Sequence, residues 1–485
     1  MKSCGILLAG ALFAGPSLDL KGEETNTLEL IQKLQRRIDE LENKVKRLEN
    51  TEKLSTNTNQ ASSPQRIESL DQQVKTLQTQ QEFDRQTGRA RVNDASTLSL
   101  GTGGIIFSSA DDNFKFKVRG YIQADARFYP DDSRQASTDT FLLNRVRPVF
   151  EGTIFKDFDY KMMPDFGQGK AVIQDAFLDA HFLPWLSLRA GKYKGPVGLE
   201  RLESARDLIF VERALTVDLV PNRDIGFALH GEFLKGILGY EAGVFNGAVD
   251  GSSDDADEND SKDVQARVFA YPFKLSGVAP LQGLGLGIAG TTGHENGTAP
   301  SYKTIGQQTF FTFNTGVTAN GSRDRIAPQG FYYWGPFGLL AEYVISAQDV
   351  NSGALHKRLA NSAWQAAVSY VVTGEKASYF GVAPTHPFSP AQGHWGALEF
   401  AARVSELHID SDAFRNFGTP LDPVYLADHT KSASDALAWG VGVNWYLNSG
   451  VKLMLDFEHT RFEDGATRGN RPDENAVLSR LQVAF

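Results

Sequence analysis

Apolar and polar positions follow two different rhythms along this chain. In residues 28–49 the period is three and a half: Ile31, Ile38 and Val45 are seven apart, and Leu34, Leu41 and Leu48 follow three places later. That is an a/d seam of a helical coiled coil, with polar or charged residues elsewhere. A shorter repeat, Ile67, Leu70, Val74 and Leu77, is set off by the polar stretch Ser55–Pro64. Branched residues at a with Leu at d favour two strands. Arg37 and Glu42, and again Lys44 and Glu49, flank the seam as in three-stranded coils, where a long basic stem covers the apolar seam and its head pairs with a neighbouring helix. We read the arm as trimeric.

From residue 113 the period becomes two. Phe114, Phe116, Val118, Ile122, Ala124, Ala126 and Phe128 share one face, and Lys115, Lys117, Arg119, Gln123, Asp125 and Arg127 share the other. The alternation recurs, for instance in Val451, Leu453, Leu455 and Phe457 against Lys452, Met454, Asp456 and Glu458. It predicts strands at 114–128, 141–156, 171–182, 185–192, 224–234, 237–246, 263–271, 284–292, 307–316, 326–334, 337–347, 362–373, 395–405, 435–447, 450–461 and 476–485. Segments 103–109 and 158–164 would raise sixteen strands to eighteen. Tight connections such as Asn448-Ser449-Gly450 and Trp334-Gly335-Pro336 alternate with longer polar loops. Aromatic residues fall near strand ends (Trp185, Trp334, Trp395, Trp445, Tyr332, Tyr446), and the chain closes on Phe485. The expected fold class is an all-β transmembrane barrel of 16 antiparallel strands, 18 as the alternative, with an N-terminal α-helical coiled coil.

Composition narrows the class. The chain is 41% hydrophobic and 22% charged, and no stretch reaches the ~18 apolar residues of a spanning helix. A barrel, alternating lipid-facing and water-facing side chains, carries this composition without difficulty. Met1, Lys2 and the apolar run Ile6–Ala14 read as an export signal. Cys4, the one cysteine, lies within it, so disulfides and thiol chemistry drop out of the mature chain. The expected organisation is 1–21 signal peptide, 22–90 periplasmic coiled-coil arm and linker, and 91–485 barrel.

Several runs resemble one family, the phosphate-selective porins O and P. Arg189-Ala190-Gly191-Lys192-Tyr193-Lys194-Gly195-Pro196-Val197-Gly198-Leu199-Glu200 is similar to that family's strand running into an inward-folded loop. Gly396–Arg403, Asn444–Asn448 with Leu453–Asp456, Thr373-Gly374-Glu375 and Tyr160–Phe166 fit in the same order. The resemblance spans about residues 113 to 485. It implies a trimeric, sixteen-stranded outer-membrane channel for anions such as phosphate or pyrophosphate.

A pore replaces part of an ion's hydration shell with fixed charges and dipoles, tightly enough to admit the ion and loosely enough to release it. Strand parity turns Lys115, Lys117, Arg119, Arg127, Arg145, Arg147, Arg189, Arg267 and Arg403 inward, where the resemblance implies a basic ladder. Asp125, Glu151, Asp175, Asp179, Glu399, Asp456 and Glu458 share that parity, so pairing of opposite charges across the wall is the competing reading. Residues 194–223 are too apolar for a solvated loop, and Ser204–Leu215 has helical spacing. Folding this segment into the barrel makes Lys192, Lys194, Arg201, Arg206, Arg213 and Arg223 constriction candidates. The acidic run Asp254, Asp255, Asp257, Glu258, Asp260 and Asp263 suits a solvated loop tip better than a divalent-cation site touching surface lipid. No nucleophile–base set, cofactor motif or metal motif stands out. The expected partners are two further copies in a homotrimer, outer-membrane lipid and lipopolysaccharide, small anions and, through the arm, peptidoglycan; nucleic acid is not expected. With a net charge of −10, a general or cation-preferring porin is the first alternative and an envelope-tethering barrel the second.

Overall fold

A computed structural model describes residues 96–101, 103–130, 137–253, 255 and 259–485. The expected signal peptide and coiled-coil arm lie outside the described residues. Sixteen antiparallel strands form the wall: β1 Phe114–Phe128, β2 Thr140–Ile154, β3 Phe158–Asp165, β4 Val172–Leu183, β5 Leu186–Tyr193, β6 Asp224–Phe233, β7 Leu238–Phe245, β8 Asp263–Ala270, β9 Leu284–Thr298, β10 Val317–Trp334, β11 Phe337–Ser352, β12 Leu355–Val371, β13 Ala397–His408, β14 Ala433–Tyr446, β15 Val451–Asp464 and β16 Glu474–Ala484. Each pairs with the next, and β16 returns to β1 from Val477↔Phe128 to Ala484↔Tyr121. Closure leaves no unpaired edge in the wall. Phe485 and Gly120 exchange backbone hydrogen bonds of 3.0 and 2.9 Å. Just beyond, a two-stranded hairpin, Thr97–Gly101 with Gly104–Ser108, lies on β1 along Lys115–Val118.

The wall count is sixteen, but its membership differs from expectation. Segment 158–164 is a wall strand, β3. Segment 307–316 is not; only Thr309–Phe311 is extended, and it pairs with Tyr302–Lys303 apart from the main sheet. The neighbours Phe310 and Phe311 are both buried, which a wall strand cannot arrange because successive side chains take opposite faces. Segment 103–109 supplies the hairpin strand that pairs with β1, and Thr97–Gly101 lies outside it.

The radial distribution of side chains is inverted relative to a water-soluble protein. Phe141 is 80% exposed, and Phe227, Leu229, Val264, Ile288, Val441 and Leu455 also face outward. Arg480 is 2% exposed, and Gln123, Asp125, Arg323, Arg325, Arg403 and Asp456 are buried with it. Only a lipid surround stabilises the first set, and only a polar interior accepts the second. No helix of the described residues is long and apolar enough to cross a membrane. Trp185, Trp334 and Trp395 stand exposed at the rim that carries the chain end. Tyr446, expected beside them, turns inward and donates to Glu399 at 2.7 Å.

Connections at that rim are short at 155–157, 184–185, 234–237, 335–336 and 447–450, but 271–283 and 372–396 are long. The opposite rim carries 194–223, 246–262, 299–316 and 409–432, with one tight turn at 353–354. Three long segments fold inward rather than out. Leu199, Leu208, Phe210, Val211, Leu215 and Leu219 of loop 194–223 are all buried. Val211, Leu215 and Leu219 pack with Ile305, Phe310 and Phe311 of loop 299–316 against Val344, Ala363, Leu407, Ala436 and Leu478 of the wall. From the other rim, Tyr379 of segment 372–396 donates to the Leu199 carbonyl at 2.6 Å and stacks on Phe331.

The helical spacing of Ser204–Leu215 does not become a helix; the loop holds one helical turn at Leu199–Leu202 and a 3-10 turn at Leu215–Leu219. Wall side chains take the backbone bonds a helix would have made. Gln123, Gln482, Lys452, Asn444 and Arg403 donate to the carbonyls of Ala205, Arg206, Leu208, Ile209 and Glu212 at 2.7–3.0 Å. The N–H groups of Val211 and Ala214 donate to Asp456 and Glu200. A buried backbone must find partners somewhere, and here the barrel interior supplies them.

The closing strand is tied to the first by a fully buried fork, Arg480 Nε and Nη2 to the two Asp125 oxygens at 2.7 and 2.6 Å. Arg480→Met leaves Asp125 charged and short of its fork, an error that costs about 3–5 kcal/mol in a buried pair. The urea midpoint of the refolded barrel, followed by tryptophan fluorescence, should fall accordingly, and Asp125→Asn in the same chain should recover part of the loss.

Candidate functional site

Three carboxylates fix the inward loop. Glu212, at its centre, faces Arg127 at 3.0 Å, Arg145 at 3.6 Å and Arg480 at 3.8 Å, and accepts from Asn144 at 2.8 Å. A β-bulge on β2 makes this possible: Gln123 pairs with Arg145 and Ala124 with Leu143, so Asn144 and Arg145 reach the interior from adjacent positions. Glu342 of β11 accepts from Leu199 N–H at 2.6 Å, Thr216 hydroxyl at 2.9 Å and Gln365 at 2.7 Å. Glu458 of β15 holds Arg403 at 2.7 Å, while the Arg403 guanidinium lies 4.1 Å over the Phe210 ring. Burial pushes the Glu212 carboxyl up, but Arg145, Arg480, Arg127 and the Asn144 amide outweigh it and hold the group at about 2.

The expected basic residues therefore divide into two groups. Arg127, Arg145 and Arg403 are committed to docking the loop. Arg201 donates to Val217 O and Asn222, Arg213 to the carbonyls of Glu200 and Glu203, and Arg206 pairs with Asp207, all bonds within the loop. The remainder, Lys115 and Lys117 apart, face open space. Arg119 forks onto Glu151 at 2.8 Å, with Lys117 at 3.2 Å from the same carboxylate. Arg147 holds Asp165 at 2.7 Å and Tyr121 at 2.9 Å. Arg189 pairs with Asp179 and lies over Phe177, and Arg223 reaches Asp175 at 3.2 Å. Lys192 pairs with Asp255, Lys194 donates to Glu203 O, Arg267 lies 4.4 Å over Phe269, and Lys115 is exposed on β1.

This open space is a chain of three cavities along the β1–β8 side of the barrel. The outermost, about 370 Å³, includes Arg145, Arg147, Lys170 and Lys192 with Asp165 and Asp255. The middle one, about 260 Å³, runs between the wall and loop residues Lys194, Leu202, Ser204 and Ala205. Six basic side chains line it, Arg119, Arg147, Lys161, Arg189, Lys194 and Arg223, against the two carboxylates Asp175 and Glu241. The innermost, about 420 Å³, includes His230, Glu232, Glu241, Arg267, Phe269 and Tyr271. Arg147 belongs to both the outer and middle linings, and Glu241 to both the middle and inner ones. Each volume is many times the ~10–15 Å³ that one water requires.

The acidic run departs from a solvated tip at two described positions. Asp255 meets Lys192, and Asp263 is buried between Arg323 and Arg325 at 3.2 and 3.3 Å. Asp250, just before the run, holds Arg325 at 2.6 Å and Ser346 at 2.7 Å. No cluster able to hold a metal ion occurs among the described residues. The basic ladder read from the sequence leaves out Lys161, Arg323, Arg325, Lys452 and Arg480, which the structure turns to the interior. Lys452 and Arg480 share the inward parity of their expected strands, Lys161 sits on the strand left aside, and Arg323 and Arg325 precede the expected start of β10.

Glu212 gives the docked loop a pH signature. Its folded value of about 2 lies below its ordinary 4.5, so the stabilisation is complete above 4.5 and is lost as pH falls through about 2. Single-channel recordings should stay quiet down to that window and then show loop noise. Glu212→Gln should be noisy already at neutral pH; equal quietness in the variant would contradict this assignment.

Comparison with known proteins agrees with the geometry. The family described as phosphate-selective porin O and P matches residues 116–485. Porin O of Pseudomonas aeruginosa is 22% identical over 430 residues, covering 82% of this chain and 94% of that protein. Among solved structures, the outer membrane channel DcaP of Acinetobacter baumannii is 10% identical and superposes with a TM-score of 0.51 over 78% of this chain and 99% of its own. The anion-selective porin from Comamonas acidovorans, also 10% identical, gives a TM-score of 0.48 over 77% of this chain and 100% of its own. The family match spans most of the chain and the barrel is the fold it requires, so this chain belongs to the phosphate-selective porin O and P family of outer-membrane channels.

Proposed function

We propose that this porin passes small multivalent anions, phosphate or pyrophosphate in kind, by diffusion past the six basic side chains of the middle cavity. The carrying observation is the lining there, six basic side chains and two carboxylates between wall and loop, with Glu151, Asp165 and Asp179 held by Arg119, Arg147 and Arg189. The net charge of −10 does not oppose this reading, because the interior carboxylates that argue for a cation pore are engaged: Asp125 by Arg480, Glu458 by Arg403, Glu212 by three arginines. Lys194 adds weight. Burial first, and after it the crowding of Arg213 and Arg223, push its ammonium well below the usual lysine range. A bound anion relieves that crowding. Arg119, Arg147, Arg189 and Arg223 offer planar donor pairs suited to phosphoryl or carboxylate oxygens, and Lys161 a mobile point charge.

The assembly we propose is a homotrimer in the outer membrane, with residues 22–90 as a periplasmic coiled-coil arm that reaches toward peptidoglycan. Arg37 with Glu42 and Lys44 with Glu49, flanking the heptad seam, support three strands. The rim carrying Phe485 is then periplasmic, and the rim of loop 194–223 faces out.

Reversal potentials in asymmetric KCl test the sign directly: chloride preference is expected, and cation preference would remove the proposal. Arg189→Gln and Lys161→Gln, which leave the loop anchors intact, should each weaken phosphate block of the chloride current by roughly tenfold, the equivalent of about 1.4 kcal/mol. Undiminished block in both would move the binding site elsewhere.

A further inference from the structure

The charge along the cavity chain changes character at one residue. On the outer side of the seam, basic side chains prevail in both cavities. On the inner side Arg267 stands against Glu232 and Glu241. Glu241 is the residue the middle and inner linings share. It sits on β7 directly across from His230 on β6 and Arg267 on β8, so the three form one row across the wall. Directly opposed side chains in a sheet have Cβ atoms ~4.5–5.5 Å apart.

Glu241 also differs from Asp175 and Asp179, the carboxylates beside it, in how it is held. Asp175, its companion in the middle cavity, is taken up by Lys161 at 2.7 Å and Arg223 at 3.2 Å. Asp179 is taken up by Arg189 and His230. Glu241 Oε1 is buried without a hydrogen-bond partner among the described residues. Arg267 Nε and Tyr193 Oη, in the same two linings, are unpartnered as well. Polar atoms left open on both sides of a seam mark a place where solvent or a passing solute completes the hydrogen bonding.

A channel must let go of what it attracts. Six basic side chains around a small cavity attract a multivalent anion, and nothing in the middle cavity other than Glu241 opposes that hold from the inner end. We propose that Glu241 is the exit residue of the pore: its carboxylate repels the anion from the inner end of the middle cavity, weakening retention there and making conduction asymmetric between the two rims. A passive pore cannot pump, so the consequence is a rate and a rectification, not a gradient. This rests on the anion reading above and goes beyond it by assigning the release step.

The test uses the full-length refolded channel in planar bilayers, with inorganic phosphate added to one side at a time. Glu241→Gln should lengthen the phosphate dwell several-fold and reduce the asymmetry of the current–voltage curve. Glu241→Asp, which keeps the charge in a shorter side chain, should stay close to wild type, a split that a purely structural role would not produce. If wild type shows phosphate block and Glu241→Gln matches it in dwell and asymmetry, the exit role is wrong while the anion reading stands. If wild type shows neither anion preference nor phosphate block, the anion reading has failed first, and the exit role falls with it.

Discussion

A closed β wall leaves its interior with a charge problem that the rest of this structure solves. Every second residue points inward, and many of those residues are arginines. A guanidinium enclosed by protein and lipid cannot shed its charge, so each one needs a carboxylate, a carbonyl or water. The deepest answer is Glu212. One carboxylate on a loop faces Arg127, Arg145 and Arg480, which come from three neighbouring strands around the closure point of the barrel. Without it those cations would repel one another and the loop would lose its strongest anchor. With it, a segment that leaves the wall after β5 crosses the interior and docks beside β1 and β16.

From that docking the shape of the lumen follows. Val211, Leu215 and Leu219 of the loop pack on loop 299–316, Leu199 meets Tyr379 of segment 372–396, and Leu208 packs on Tyr121 and Ala484 of the wall. The β9–β16 side thus becomes a filled core, with wall side chains bonded to loop backbone. The β1–β8 side stays open. Carboxylates on the filled side are consumed by loop anchoring, and the open side keeps a surplus of cations. The uneven filling of the barrel, more than the total count of basic residues, produces the basic passage.

The wall was legible in the sequence because a two-residue alternation needs only local information. β1, β15 and β16 could be read residue by residue, and the inward parity of Arg119, Arg147 and Arg189 followed. The failures have physical causes. Phe310-Phe311 imitates strand composition without alternating, and it belongs to the plug. Segment 158–164 alternates weakly because Met162-Met163-Pro164 interrupts it at the register shift in the β3–β4 pairing. Asn144 and Arg145 both reach inside through a bulge, which parity cannot anticipate. Ser204–Leu215 had the spacing of a helix, but Gln123, Lys452, Asn444, Arg403 and Gln482 claim its carbonyls from strands far away in sequence. Such bonds depend on the closed barrel, and no local window contains them.

The same reasoning separates two kinds of arginine that the sequence presents as one ladder. An arginine whose partner is a loop carboxylate or carbonyl is a fastener, and removing it acts on pore geometry. An arginine whose partner is a wall carboxylate beside the cavity keeps donor capacity turned toward the cavity, and under the proposed function removing it acts on the solute. Arg145 and Arg403 are of the first kind, Arg119 and Arg189 of the second. Parity alone assigns both kinds to the interior. Only the identity of the carboxylate each one meets decides whether its charge is spent on holding the barrel's contents or remains available to an ion, and a wall that mixes the two can be strongly basic along its passage while the chain as a whole is acidic.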